Sequence, residues 1–185
     1  MANDKKQEII TKYLADMIGV EGHIYQAIDK QVKETQDEPD VNPILRNMRD
    51  TLEQHTNTLR ERLEALGGKA TSPVKEAGAS LLGVAAGVID KMRAEEVSKD
   101  FRDNYTALGL SNISYVMLIT TALACNDQET ADLASRHLKD NAQFVSDIGN
   151  LIPQLVVRDL SDLSDLNQGA VETARQMYKE AWQQT

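Results

Sequence analysis

Apolar residues at helical spacing run along most of this chain, and this pattern is the strongest constraint on its fold. From about residue 3 to 35 they recur at steps of three and four residues, and the segments at about 42–66, 98–125 and 126–157 repeat the pattern. Sustained two-residue alternation and Asn-Gly or Asp-Gly hairpin turns are absent from the sequence. The sequence therefore predicts an all-α fold built on four long helices.

Two further helices are predicted from their start signals and their periodicity. Ser72-Pro73 places a capping residue before a proline, which is typical of a helix start, and opens a shorter helix that reaches about residue 93. A last amphipathic segment at about 168–183 carries the one tryptophan, Trp182. We expect a single domain over residues 1–185, with a bundle core at about 4–158 and this C-terminal helix packed on it or on a neighbouring subunit.

The third and fourth long helices carry two more specific expectations. Asn126, with Glu129 three residues later, resembles a capping box and predicts the start of the fourth helix. The third long helix, at about 98–125, is expected to bury one apolar face, formed by Phe101, Tyr105, Leu108, Val116, Ile119 and Leu123.

Charge and targeting signals exclude several classes of partner. The net charge of −9 lacks the basic footprint that a phosphate backbone requires, so we expect no nucleic acid. The weakly polar run Ala77–Ile89 is shorter than the roughly 20 residues that span a bilayer, so we expect no membrane span. The first residues lack the apolar core of a secretory signal, and the single Cys125 suits a reducing compartment. The expected location is the cytoplasm.

One polar residue interrupts the apolar stripe near the middle of each long helix: Glu21, His55, Asn112 and Asn141. In an antiparallel bundle these midpoints fall at one level, where metal-carboxylate bundles keep their metals. Glu21 is expected to point inward and therefore to be protonated, hydrogen-bonded or bound to a cation. His137 lies on or beside the inward face of the fourth helix, so it joins the candidate residues.

Several segments resemble a known family. Residues 13–28, from Tyr13 to Ile28, resemble the first helix of small bacterial ferritin-like stress proteins of the YciF type, with Glu21 at the place of that family's first-helix ligand. Residues 63–67 and 115–118 resemble the family's second-helix end and its Tyr-Gly-Thr-Leu motif. The resemblance runs from about residue 7 to 158. It implies a ferritin-like four-helix bundle with an extra helix between bundle helices 2 and 3, and a role in stress adaptation.

The departures from the family concern its metal ligands. Where the family has glutamates, this chain has Thr51 beside Leu52, Ser111 beside Asn112, and Asp140 beside Asn141. Two divalent ions need several carboxylates, which neutral Thr, Ser and Asn cannot replace. We therefore expect a lost or degenerate di-metal centre and no cofactor. A single iron, manganese or zinc ion stays open, and its ligands would be Glu21, His55, His137 and Asp140.

The sequence leaves three functions open. A phosphate-binding loop, a Gly-x-Ser-x-Gly elbow, a His-Glu-x-x-His motif and paired cysteines are all absent, so no catalytic residues are predicted. The first interpretation is a non-catalytic bundle that associates with itself or docks an unknown protein partner. The second is a mononuclear metalloprotein with redox or peroxide chemistry, and the third is a carrier of an apolar small molecule. A homodimer is predicted, with contacts through Ala77–Ile89 or the helix of Trp182.

Overall fold

The computed structural model describes residues 2–69 and 97–183. This part contains five helices: α1 (Ala2–Glu34), α2 (Asn42–Ala65), α3 (Val97–Cys125), α4 (Gln128–Asp159) and α5 (Ala170–Gln183). It contains no strand, and each of the five helices begins and ends within two residues of its predicted bounds. The all-α prediction is confirmed. The predicted helix at about 72–93, with Ala77–Ile89 inside it, lies outside the described residues.

Buried polar contacts show how the long helices run relative to one another. The side-chain amides of Gln31 on α1 and Asn104 on α3 bond each other reciprocally, at 2.7 and 3.3 Å. Glu21, which precedes Gln31 on α1, accepts a hydrogen bond from Ser111, which follows Asn104 on α3. Because later residues of α1 meet earlier residues of α3, the two helices are antiparallel.

The direction of α2 then fixes the topology. Asn42, at the start of α2, donates to the carbonyl of Val32 near the end of α1, so α1 and α2 are also antiparallel. It follows that α2 and α3 are parallel, and that residues 69 and 97 lie at opposite ends of the bundle. A bundle with one such long crossover has the topology of ferritin-like folds.

A cluster around Arg62 ties the end of α2 to the start of α4. Its guanidinium donates to Asp127 at 2.6 Å, to Glu129 at 2.5 Å and to the Thr130 hydroxyl at 2.8 Å. Asp127 accepts a hydrogen bond from the Thr130 backbone N–H and is the N-cap of α4. The predicted cap at Asn126 is wrong, because that residue has a φ of 63° and belongs to the turn after α3.

The inward face of α3 also differs from the prediction. Val116 and Leu123 were expected in the core but are 43% and 50% exposed. The buried residues follow steps of three and four, and two of them are polar, so the apolar residues alone give a false register. The buried residues of α3 are Phe101, Asn104, Leu108, Ser111, Tyr115, Leu118 and Ala122.

The composition of α3 bears on the membrane prediction. In the described part of the chain, α3 is the one helix that is long and apolar enough to cross a membrane, with a mean hydropathy of 1.6 over its most apolar 18 residues. Its inward face, however, bonds to the other helices through Asn104 and Ser111. We therefore assign α3 to the bundle, in agreement with the prediction of no membrane span.

The C-terminal helix α5 packs on α4 around a glycine. Gly149 of α4 lies against the Tyr178 ring, and a Cβ added at this position would overlap that ring. Arg175 fastens the same contact, donating to the carbonyl of Asn150 at 2.9 Å and to the Gln154 side chain at 3.1 Å. The absence of a side chain at residue 149 is therefore what allows α5 to approach α4.

Substitution of Gly149 by alanine should displace α5. We expect Gly149→Ala to increase amide hydrogen exchange throughout Ala170–Gln183, because the new methyl group competes with the Tyr178 ring for the same space. The matched control is Gly19→Ala on α1, where an added Cβ meets nothing within 4 Å. That variant should gain up to about 1 kcal/mol of helix stability. Unchanged exchange in α5 of Gly149→Ala would contradict this account of the contact.

Candidate functional site

The four residues predicted as metal ligands lie together near the middle of the bundle. Glu21 on α1, His55 on α2 and His137 on α4 are buried, whereas the side chain of Asp140 on α4 is 55% exposed. The His55 ring stacks on the His137 ring with 3.9 Å between centroids and reaches both carboxylates. Together with their bonding partners they form what we call the polar layer: Glu21, His55, Thr58, Ser111, Tyr115, His137, Asp140 and Asn141.

Hydrogen-bond donors from three other helices surround the Glu21 carboxylate. The Ser111 hydroxyl donates to Oε1 at 2.5 Å, and the Asn141 amide donates to the same oxygen at 2.8 Å. His55 Nδ1 lies 3.2 Å from Oε2. A buried, ionised carboxylate is costly unless it is paired and hydrogen-bonded, and these donors meet that need. The expectation that Glu21 points inward is confirmed.

His55 lies between two carboxylates. Its Nδ1 faces Glu21, and its Nε2 lies 3.1 Å from Oδ2 of Asp140. Burial lowers the pKa of His55, but the hydrogen bonds and charges of Glu21 and Asp140 outweigh burial, so the pKa is raised above its ordinary value of 6.5. An imidazolium carries a proton on each nitrogen and can donate to both carboxylates at once. The contact of both ring nitrogens with carboxylates and the raised pKa favour the imidazolium, so we assign His55 as the cation of the polar layer.

His137 has the opposite ionisation behaviour. Burial, followed by the charges of His55 and Arg136, lowers the pKa of His137 to about 3. Its ring is thus neutral near pH 7. Its Nδ1 lies 3.0 Å from the Tyr115 hydroxyl, and its Nε2 lies 3.0 Å from the Thr58 hydroxyl. The stacked pair consists of one charged and one neutral imidazole, which avoids repulsion between two cations at this distance.

The predicted layer residue Asn112 is wrong, because the neighbouring Ser111 takes that place. Ser111 is fully buried, whereas Asn112 is only partly buried. The carbonyl oxygen of the Asn112 side chain has no hydrogen-bond partner within the described part, and the same is true of Asn141 Oδ1. Ser111 precedes the buried Tyr115 by four residues, a helical spacing that would have identified it.

Sequence reasoning also missed two hydroxyl groups of the layer. Thr58 lies three residues after His55 on the same side of α2, and this spacing was the available signal. The sequence singles out Tyr115 only as part of the family resemblance at residues 115–118. Burial, followed by the charge and hydrogen bonding of Glu21, raises the pKa of Tyr115 well above its ordinary value of 10. Its hydroxyl therefore keeps its proton beside His137.

The positions of the potential metal ligands do not suit a metal ion. Ligand atoms must converge on one point, but the two carboxylates lie at opposite nitrogens of the His55 ring. Across residues 2–69 and 97–183, no group of three or more His, Cys, Asp or Glu residues is placed to hold an ion. Metal binding would require this layer to rearrange. Ligation by Glu21, His55, His137 and Asp140 stays a prediction.

Two cavities lined by residues of the described ranges open on the outside of the bundle. A groove of about 810 Å³ lies between α2, α4 and α5, and one of about 200 Å³ lies between α1 and α2, beside Gly19 and Gly22. No residue of the polar layer lines either cavity. The larger groove has an apolar floor below a rim of charged residues. That floor contains Ile44, Met48, Phe144, Ile148 and Leu151, and the rim contains Asp147, Glu172, Arg175 and Lys179.

Comparisons with known proteins agree with this fold. A family model described as a domain of unknown function (DUF892) matches residues 5–161. The crystal structure of protein XCC3681 from Xanthomonas campestris pv. campestris str. ATCC 33913 is similar with a TM-score of 0.71, covering 85% of this chain and 97% of that chain at 18% identity. A likeness at this identity supports the fold alone. A comparison with curated proteins gives no match.

The two histidines should impose opposite pH dependences on the free energy of unfolding. The raised pKa of His55 adds stability that is complete below pH 6.5 and is lost as the pH rises through the folded-state pKa. The lowered pKa of His137 keeps the folded ring neutral while the unfolded chain takes up a proton. Stability should therefore fall as the pH drops from 6.5 towards about 3. The limiting slope for one proton is about 1.4 kcal/mol per pH unit.

Urea denaturation at a series of pH values checks this prediction. His55→Gln should flatten the loss on the alkaline side, and His137→Gln should flatten the loss on the acidic side. His23→Gln is the matched control, because its ring lies outside the polar layer. Equal effects of His55→Gln and His137→Gln on both sides would contradict the assignment of one charged and one neutral ring.

Proposed function

This chain belongs to the DUF892 family, and on that premise we propose that it is a non-catalytic bundle protein that acts by self-association or by docking a partner. In this proposal the polar layer is a metal-free network that fixes how the four long helices fit together. The observation that carries it is the position of His55, whose two ring nitrogens each contact a carboxylate.

The charge of the layer supports the proposal. In di-metal carboxylate bundles, cations neutralise the buried glutamates. Here the His55 imidazolium supplies a positive charge between Glu21 and Asp140, and the exposed half of Asp140 is open to solvent. Because Glu21, the fully buried carboxylate of the layer, already has a cation beside it, the layer needs no metal for charge balance.

The neutral residues of the layer support it as well. Where the family that this chain resembles has glutamates, α3 carries Ser111 beside Asn112 and α4 carries Asp140 beside Asn141. The Ser111 hydroxyl and the Asn141 amide both donate to Glu21. A metal ligand must instead offer a lone pair to the ion. Asn141 also donates to Ser111 at 3.0 Å, which joins α1, α3 and α4 in one network. Buried polar networks of this kind can specify helix register.

The cellular context comes from the resemblance to stress proteins of the YciF type over residues 7–158. We propose a role in bacterial stress adaptation on that basis, and a cytoplasmic location on the basis of the sequence signals and the single Cys125. A protein that acts by binding rather than by catalysis agrees with the absence of recognisable catalytic motifs from the sequence.

A second candidate is a protein that binds one iron, manganese or zinc ion. It is favoured by the neutral ring of His137, since a neutral imidazole is the ligand form of histidine, and by the unpartnered Oδ1 of Asn141 within the described part. Such an ion would supply redox or peroxide chemistry. It would require His55 to lose a proton and at least one of its carboxylate contacts.

A third candidate is a carrier of an apolar small molecule. The groove between α2, α4 and α5 favours it, because a volume of about 810 Å³ lies within the range of small-molecule sites. Met48 and Ile148 on its floor are among the most buried residues of the core. This groove, rather than a vacated interior, would hold the ligand.

Substitution of Glu21 distinguishes the network from a metal site. We expect Glu21→Ala to lower the free energy of unfolding by about 3–5 kcal/mol, because it removes the buried carboxylate that pairs with His55 Nδ1 and accepts from Ser111 and Asn141, and leaves His55 with the half-exposed Asp140 alone. Glu21→Gln keeps an acceptor for Ser111 and should cost less, but it should lower the pKa of His55. Exposed Glu61 on α2 is the control, and Glu61→Ala should leave the urea midpoint unchanged.

Metal analysis of the same proteins, purified without chelators, completes the test. The proposal predicts less than stoichiometric iron, manganese and zinc in both the wild type and Glu21→Gln. It also predicts no change in melting temperature when any of the three ions is added. Stoichiometric metal in the wild type that Glu21→Gln abolishes would overturn the proposal in favour of the second candidate.

A further inference from the structure

The outward face of α3 carries a seam of uncharged residues. From Asn104 to Asn126 the sequence contains no charged side chain, in a chain whose net charge is −9. Several large apolar side chains of this stretch are exposed, among them Ile113 at 57% and Met117 at 50%. A connected apolar surface of this kind usually marks a binding site. It lies opposite the buried face that holds α3 in the bundle.

The spacing of these residues is that of a helix-pairing seam. Successive members are separated by four, three, four, three and four residues, which is the pattern of positions that face another helix in a coiled coil. At 1.5 Å per residue the seam is about 27 Å long. We define the α3 seam as Thr106, Leu110, Ile113, Met117, Thr120 and Ala124.

The polar atoms of the seam do not oppose its burial. The Thr106 hydroxyl donates to the carbonyl of Arg102, and the Thr120 hydroxyl donates to that of Val116, at 3.1 and 2.8 Å. Both hydroxyls are thus satisfied within α3. Both hydroxyls keep their hydrogen bonds when the α3 seam is covered, so removing the seam from water costs little free energy.

We propose that the α3 seam binds the α3 seam of a second copy of this chain, in an antiparallel two-fold pairing. The seam is centred on residue 115, so a two-fold axis there places Ile113 opposite Met117 of the partner copy. It also places Leu110 opposite Thr120 and Thr106 opposite Ala124. The large side chains of Ile113 and Met117 thus meet in the middle of the contact. Beyond them Leu110 meets the smaller Thr120, and Thr106 meets the small Ala124, which lets the helices approach closely.

Charge favours a second copy as the occupant. Two molecules of charge −9 repel each other, and the α3 seam is a surface on which they can meet without bringing like charges into contact. A two-fold interface must be complementary to itself, and an uncharged seam whose large Leu110 lies opposite the smaller Thr120 meets that condition. A lipid bilayer is less suited, because α3 would have to break its bonds through Asn104 and Ser111 to enter it.

The inference rests on the self-association named in the proposed function and assigns a surface to it. It does not depend on the polar layer, because no layer residue belongs to the α3 seam. Of the two surfaces predicted from the sequence, Ala77–Ile89 lies outside the described residues, and the one around Trp182 on α5 is distinct from the α3 seam, with Trp182 60% and Met177 65% exposed. Met117 on the α3 seam and Met177 on α5 allow a matched comparison of these two surfaces.

Light scattering at micromolar concentration tests the proposal first. The full chain should have the mass of a dimer, and Met117→Lys should shift it to a monomer or weaken association at least about tenfold, because the new charges approach each other in the contact. Met177→Lys, the same substitution on α5, should leave the dimer intact. Circular dichroism should show equal helix content in all three proteins. A monomeric wild type would overturn the proposal.

Cross-linking then tests the pairing itself, in a Cys125→Ser background. The double variant Ile113→Cys and Met117→Cys should form a covalent dimer under mild oxidation, since each cysteine faces the other kind in the second copy. The control places the same pair on exposed positions of α2, as Glu53→Cys and Asn57→Cys, and should stay monomeric in a denaturing gel. A dimer that survives Met117→Lys and fails to cross-link would overturn this surface while leaving self-association in place.

Discussion

The central physical constraint in this protein is the burial of a carboxylate. Glu21 is fully excluded from solvent, so its ionised form depends on partners that only other helices can provide. α2 supplies the His55 cation, α3 supplies the Ser111 hydroxyl and α4 supplies the Asn141 amide. Because each donor comes from a different helix, shifting any one of the four would leave a buried charge or donor without its partner.

The same constraint connects the layer with the protein's proposed mode of action. In the proposed function, the protonated His55 balances the buried charge without a bound metal, and the interior has a structural role. The proposal assigns function to the outer surfaces, where α3 and α5 expose large apolar side chains and a groove opens between α2, α4 and α5. The interior network keeps those surfaces in fixed positions relative to one another.

Periodicity predicted the helices well and the details of their faces less well. The long helices and the inward position of Glu21 and His55 follow from spacing alone. α3 was misjudged because its buried face includes Asn104 and Ser111 while its outer face is apolar, so hydrophobicity pointed to the wrong register. The cation between two carboxylates could not be read from the sequence, because Asp140 reaches His55 only through the packing of α4 against α2.

The ionisation of His55 in the folded protein is the most direct test of this account. Nitrogen NMR of the histidine side chains at pH 7, on protein purified without chelators, reports the protonation of each ring nitrogen. The account predicts two protonated nitrogens on His55 and one on His137, and no change in either ring when iron, manganese or zinc is removed. A neutral His55, or a His55 nitrogen that changes when metal is removed, would contradict it.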